Sequence, residues 1–186
     1  MQILGISGSL RRGSHNTKLL RAAGALMDAE EVEFVVFDGL KAVPPYDEED
    51  DRDPAPAAVS QLRDAIAGAD GILFATPEYN ASVPGQLKNA LDWASRPIAT
   101  NVLRNKPVAV IGASAGMFGA VWAQAELRKV LAAIGARVLE GDLPVGQAQT
   151  RFDEEGNLVD EEVRERLEEI VADLVAEASP MQTAGV

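Results

Sequence analysis

Five short apolar runs, separated by stretches whose apolar residues recur every three or four positions, leave this chain few ways to fold. The runs are Met1–Ser7, Val32–Phe37, Gly71–Thr76, Val108–Gly112 and Arg137–Leu139. Between and after them come Leu19, Leu20 and Ala23; Val59, Leu62, Ile66 and Ala69; Leu87, Ala90, Leu91 and Ala94; Trp122, Ala125, Val130, Leu131 and Ile134; and Val163, Leu167, Ile170, Val171 and Leu174. Spacing of the second kind gathers apolar side chains on one helix face, and runs of the first kind have the length of strands. The punctuation agrees, with Pro56 and Pro84 where helices start and Gly68 and Gly135 where they stop. Alternating strands and helices imply a parallel sheet covered on both faces, joined by right-handed crossovers.

The chain has 186 residues, enough for one well-buried core. Five strands in this pattern predict a flavodoxin-like α/β sandwich of three layers, with a five-stranded parallel sheet of order 2-1-3-4-5. Residues 1–178 form the single domain; 179–186 carry no anchoring pattern and are expected to fray. Asp47–Asp53, flanked by Pro44, Pro45, Pro54 and Pro56, reads as a solvated loop. In the 2-1-3-4-5 order the chain reverses direction between strands 1 and 3, which opens a crevice beyond their carboxyl ends. Gly8–Asn16 (GSLRRGSHN) follows strand 1 and Pro77–Gly85 (PEYNASVPG) follows strand 3, with the glycine-rich Ala113–Gly119 after strand 4. All three loops should meet at that crevice.

The first loop has the makings of a phosphate site. Ser14 or Asn16 can cap the helix that follows, whose free N–H groups and dipole place partial positive charge at its start. No Asp or Glu precedes Asp28, while Arg11, Arg12, Lys18 and Arg21 give the first 27 residues a charge of +4. The whole chain is at −12, so the rest carries −16. A local cationic segment in an acidic protein suits one bound phosphoester and argues against nucleic acid as a partner.

Composition closes other routes. There is no cysteine and a single histidine, His15, which excludes disulfides, thiolate catalysis, cysteine-ligated metal and any histidine-rich metal site. Redox chemistry therefore has to come from a cofactor. No apolar stretch approaches the ~20 residues that span a bilayer, and the N-terminus reads as a strand, not a signal peptide, so no membrane association and a cytoplasmic location are expected.

GSLRRGSHN, the segment Pro77–Arg96 (PEYNASVPGQLKNALDWASR) and Lys106–Gly116 (KPVAVIGASAG) together resemble the NAD(P)H-dependent FMN reductases, a flavodoxin-like family that includes quinone, azo-dye and chromate reductases. The resemblance runs from Met1 to Leu139. It implies a non-covalently bound FMN, reduced by NADPH or NADH and reoxidised by a small-molecule acceptor, with no side-chain general base. It further implies that Ser9, Arg11, Ser14, Asn16 and Thr17 hold the FMN phosphate and that Pro77, Glu78, Tyr79 and Asn80 line the isoalloxazine. Ser114, Gly116 and Gly119 would close the other side. Relatives often carry Ser-Pro-Gly where this chain has Ser114-Ala115-Gly116, which predicts a less rigid loop here.

The same resemblance implies a homodimer or homotetramer, with the helix Pro84–Ala94 and Trp93 supplying apolar surface. Glu78 is expected to contribute main-chain contacts, Tyr79 to stack near the ring, and His15 to be a bystander. Trp93 and Trp122 read as core or interface residues, and Asp92 and Arg96 as a helical i,i+4 pair. Two other functions use much of the same pattern: a flavodoxin-type electron carrier or flavin-binding regulator, and a dinucleotide-binding Rossmann enzyme with Gly5, Gly8 and Gly13 in the turn and Asp38 on the ribose. The glycine spacing departs from G-x-G-x-x-G and disfavours the last.

Overall fold

A computed structural model describes residues 1–28 and 32–179 of the chain. The expected frayed tail therefore lies, beyond Ser179, outside the described residues. Strands β1 (Gln2–Ser7), β2 (Glu33–Phe37), β3 (Gly71–Thr76), β4 (Pro107–Ala113) and β5 (Arg137–Val138) form a parallel sheet in the order β2-β1-β3-β4-β5. This is the predicted topology. Helices α1 (His15–Asp28) and α5 (Glu161–Ala178) cover one face, and α2 (Ala57–Gly68), α3 (Gly85–Ala94) and α4 (Val121–Ile134) the other.

The two-residue period of the strands divides the core. Ile72 and Phe74 of β3 and Val108 and Val110 of β4 join one apolar cluster, with Leu62, Leu87 and Leu127 of the helices on that side. Leu73, Ala75, Ala109 and Ile111, one residue out of phase, join the other with Leu19, Leu20, Leu167 and Leu174. Both central strands are buried throughout, which is why they read as continuous apolar runs and not as alternating ones. Gly5 and Gly24 flank the ring of Phe34: a Cβ on either would lie 2.6 or 2.7 Å from it. Gly5 thus makes room for an aromatic ring under α1 and not for a pyrophosphate, which together with the strand order removes the Rossmann reading.

A sixth strand, β6 (Pro144–Val145), pairs with the end of β4 through Gly112 and Ala113, on the edge whose beginning is paired by β5. The fifth position of the sheet is thus one strand interrupted at 139–143. Side chains of α4 satisfy the main chain in the gap. Gln124, buried, accepts from the Leu143 N–H at 3.2 Å and donates to Leu143 O and Gly119 O, and one turn on Arg128 donates to Leu139 O. Pairing over two residues leaves no periodic trace, so the apolar pattern could not signal β6.

The acidic stretch Asp47–Asp53 is less free than its composition suggests. One face of α3 stitches the preceding loop down: Gln86 donates to Leu40 O and Val43 O, and Asn89 and the Trp93 indole both donate to Pro44 O. Asp51 pairs with Arg63 at 2.9 Å in a largely buried contact, and Arg63 donates to Trp93 O. Trp93 is fully buried by this packing and adds nothing to the surface, contrary to the expectation for α3. Nor do Asp92 and Arg96 pair. Asp92 takes Lys88 at 2.8 Å, while Arg96 reaches the Tyr46 hydroxyl.

Candidate functional site

The loops after β1, β3 and β4 meet at the carboxyl end of the sheet around a cleft of about 330 Å³. Its first wall is the start of α1. Ser14, buried, caps the helix by accepting from the Thr17 N–H at 3.2 Å, so Ser14 and not Asn16 is the N-cap. The N–H groups of His15 and Asn16, which precede the first intrahelical bond, have no acceptor among the described residues. Arg11 lines the same cleft, its guanidinium donating to Gly13 O at 2.8 Å. Within the loop Ser7 Oγ accepts from the Ser9 N–H at 3.3 Å and from the Thr17 hydroxyl at 3.3 Å. Hydroxyls, free N–H groups and an Arg around one helix start are the donor set of a phosphomonoester site.

The second wall is Pro77–Tyr79. After it the chain turns back on itself, with Tyr79 and Ser82 exchanging main-chain bonds of 3.2 and 3.1 Å. Asn80 and Ala81 both sit at positive φ, 54° and 57°, the geometry of a two-residue type I′ hairpin. This turn projects Tyr79, more than half exposed, at the mouth of the cleft. Glu78 serves α4: one carboxylate oxygen accepts from the Trp122 and Ala123 N–H groups at 3.0 and 3.1 Å. That cap is needed because the residue ahead of α4, Ala120, has no side chain able to supply one. Glu126 accepts from the Ser82 hydroxyl at 2.6 Å and from the Val83 N–H, and these bonds hold its carboxyl below the usual range.

The third wall is Ala113–Ala115. Hydrogen bonds on either side of Ala115 tie this loop to β6 and the segment after it. Ser114 N–H donates to Val145 O at 3.0 Å, Ser114 O accepts from Ala148 N–H, and Ser114 Oγ accepts from Gly116 N–H at 3.1 Å. Beyond it, Gly119 has φ of 59° and its backbone is so close to Pro144 that a Cβ would lie 2.3 Å away.

Eight of the residues expected at the site line the cleft: Ser9, Arg11, Ser14, Asn16, Pro77, Glu78, Tyr79 and Ser114. Four do not. Thr17 braces Ser7 from behind, Asn80 forms the hairpin tip, Gly116 accepts from the Gln147 N–H, and Gly119 packs on Pro144. Asn16 contributes its main chain only, since its carboxamide is turned to Ala113. Ala113, Ala115 and His15 line the cleft without having been predicted to. Alanines carry no readable chemistry; His15 does, and its Nδ1 is buried without a hydrogen-bond partner among the described residues. Burial, Arg11 and Lys18, in that order, hold the His15 pKa below its ordinary value.

The sheet order and the phosphate-ready cleft at its reversal point define a flavodoxin-like nucleotide-binding protein. Comparison with known proteins narrows the class. The model of the NADPH-dependent FMN reductase family matches residues 1–150. An NAD(P)H-dependent FMN reductase of Pseudomonas aeruginosa is 42% identical over 171 residues, covering 91% of this chain and 90% of that one. A 2-hydroxy-1,4-benzoquinone reductase of a Burkholderia species is 40% identical over 170 residues, covering 90% and 91%. Among solved structures, the flavoenzyme NAD(P)H:(acceptor) oxidoreductase FerB of Paracoccus denitrificans superposes with a TM-score of 0.83 at 34% identity, covering 95% and 96%. The chain belongs to the NADPH-dependent FMN reductase family and is an oxidoreductase of that family, using FMN and a reduced nicotinamide.

Among the described residues no helix is long and apolar enough to cross a membrane, and no cluster of residues could hold a metal ion.

Proposed function

We propose that this protein is a cytoplasmic reductase that moves a hydride from NADPH or NADH through bound FMN to a quinone-like or other electrophilic small molecule, working as a homodimer or homotetramer. The observation that carries the reading is the convergence of three loops on one cleft with a phosphate-ready helix start at one end and an open mouth at the other. The residues present fit FMN. The unpaired N–H groups of His15 and Asn16, the Ser9 hydroxyl and the Arg11 guanidinium would hold the phosphate, and Pro77–Tyr79 and Ala113–Ala115 would flank the ring.

When bound, FMN supplies the two-electron chemistry itself. The chain's task is to position it and to leave one face accessible. Glu78 keeps one carboxylate oxygen on the α4 N-terminus, which ties the Pro77–Tyr79 segment to that helix. Tyr79 at the mouth offers a flat face for an aromatic acceptor or a nicotinamide. A single open face makes the two substrates take turns.

The surface suited to self-association adjoins the same loops. Met117, Phe118 and Trp122 are exposed large apolar residues, with the Phe118 and Trp122 rings in edge contact at 5.0 Å. Trp122 is bound by the Glu78 cap, so a subunit contact formed through this patch would lie beside the mouth of the cleft.

Chromatography of the released chromophore and steady-state kinetics test the proposal. FMN is the expected flavin, with parallel double-reciprocal lines when NADPH and a benzoquinone are varied. FAD, or no flavin after saturation with FMN, would overturn the cofactor; intersecting lines would overturn the alternating use of one face.

A further inference from the structure

His15 opens α1, faces the cleft, and is the sole histidine of the chain. Its ring lies against Phe152 with centroids 5.9 Å apart and planes 20° from parallel, and Lys18 sits 5.7 Å from the same phenyl ring. This packing buries Nδ1, which finds no hydrogen-bond partner among the described residues. A buried imidazole nitrogen without a partner is uncommon and calls for an explanation.

The charges nearby give it none. Arg11 from the first loop and Lys18 from the next turn of α1 are cationic, and the helix start adds partial positive charge. Three acidic groups of the surrounding elements are engaged elsewhere, and Glu154 and Glu155 follow Asp153 in the turn beyond Phe152. Glu78 caps α4, Asp153 beside Phe152 accepts from Asn157 at 2.7 and 2.9 Å, and Asp160 caps α5 while pairing with Arg151. His15 therefore lies among cationic groups, and its Nδ1 is unpartnered among the described residues.

We propose that His15 is a further phosphate-recognition residue, taking up a proton from solvent as a phosphomonoester docks at the start of α1, so that retention of the cofactor is linked to pH. The proposal rests on the reading of the cleft as an FMN site. An anion beside the ring favours the imidazolium, and the imidazolium in turn strengthens the hold on the anion. The direction is fixed by that linkage: the histidine contribution to affinity is full at low pH and is lost as pH rises through the pKa of the loaded form. Burial, Arg11 and Lys18 hold the unloaded pKa below its ordinary value, and the anion is what raises it on loading.

Because there is one histidine, its ring signals in NMR are unambiguous. Titrated in the flavin-free full chain, in the FMN complex and in the riboflavin complex, they should give a pKa below 6.5 without flavin. FMN should raise it by about a unit or more, and riboflavin, lacking the phosphate, should leave it in place. In parallel, the ratio of FMN affinities of the wild type and His15→Phe, which keeps a ring against Phe152, should fall about three- to sixfold between pH 6 and pH 8 for a shift of about one unit. Taking the ratio cancels the titration of the phosphate itself. FMN binding, seen by fluorescence quenching, with the histidine pKa unmoved overturns the role of His15 alone, and so does an equal shift with riboflavin. Failure of FMN to bind at all removes the cofactor reading.

Discussion

The carboxamide of Asn16 makes two bonds with the main chain of Ala113, accepting from its N–H at 2.9 Å and donating to its O at 2.9 Å. The residues are 97 positions apart and both are buried. The pair fastens the first turn of α1 to the end of β4 and so sets the spacing between the phosphate wall and the third wall of the cleft. Asn16→Ala strands a buried N–H and a buried carbonyl. It is expected to lower stability by on the order of 2–4 kcal/mol. It should also weaken FMN and riboflavin alike, because what is lost is the shape of the cleft. Urea unfolding and flavin titration check both; selective loss of FMN would mean that Asn16 contacts the phosphate through its side chain.

Arg11 and Arg12 are adjacent and equally charged, yet only Arg11 lines the cleft. A charge-assisted hydrogen bond to phosphate is worth about 1.5–3 kcal/mol. Arg11→Ala should therefore weaken FMN roughly ten- to hundredfold, Arg12→Ala far less, and riboflavin should bind both variants as it binds the wild type. Fluorescence titration distinguishes this from a general field effect, which would make the two losses equal.

Glu78 holds α4 through one carboxylate oxygen, and its expected role is this cap. Glu78→Gln preserves an acceptor oxygen and is expected to keep the pH profile of kcat/KM with quinone. Glu78→Ala removes the cap and should cost about 1 kcal/mol, together with weaker flavin binding as Pro77–Tyr79 loosens. A pH profile altered in Glu78→Gln would return the carboxyl to the chemistry.

At α5, Asp160 accepts from the Val163 N–H at 3.0 Å, a bond that, ahead of the Arg151 pairing, holds its carboxyl below the usual range. A carboxyl with a lowered folded pKa stabilises above its unfolded value, about 3.9, and loses that contribution as pH falls through the folded value. Asp160→Ala should cost about 1 kcal/mol at neutral pH and show a shallower loss of stability on acidification. Denaturation midpoints between pH 7 and pH 3 give the comparison.

Phe118 and Trp122 present the exposed apolar surface beside the cleft, a role that Trp93 cannot play from the core. Phe118→Glu with Trp122→Glu should yield a monomer by sedimentation equilibrium. An unchanged assembly would locate the contact on another face.

The sequence by itself determined the layers of this protein. Continuous apolar runs could be buried only in a parallel sheet, and the helical stripes could be buried only against it, so strand order and crevice followed from local pattern. A cap at Ser14 or Asn16 and the cationic first loop were equally legible, since capping and charge act over a few residues, and the choice of Ser14 came from the fold. Tertiary structure alone decided the direction of side chains whose partners lie far along the chain. Asn16 turned from the expected phosphate to Ala113, Glu78 to α4, Gly119 to Pro144, and Trp93 inward to Pro44. Each of these satisfies a main-chain group or a close backbone approach created by folding, and no spacing within one segment encodes it. Residue 15 shows the same division: its type is plain in the sequence, but the burial of its Nδ1 is a product of Phe152, 137 positions away.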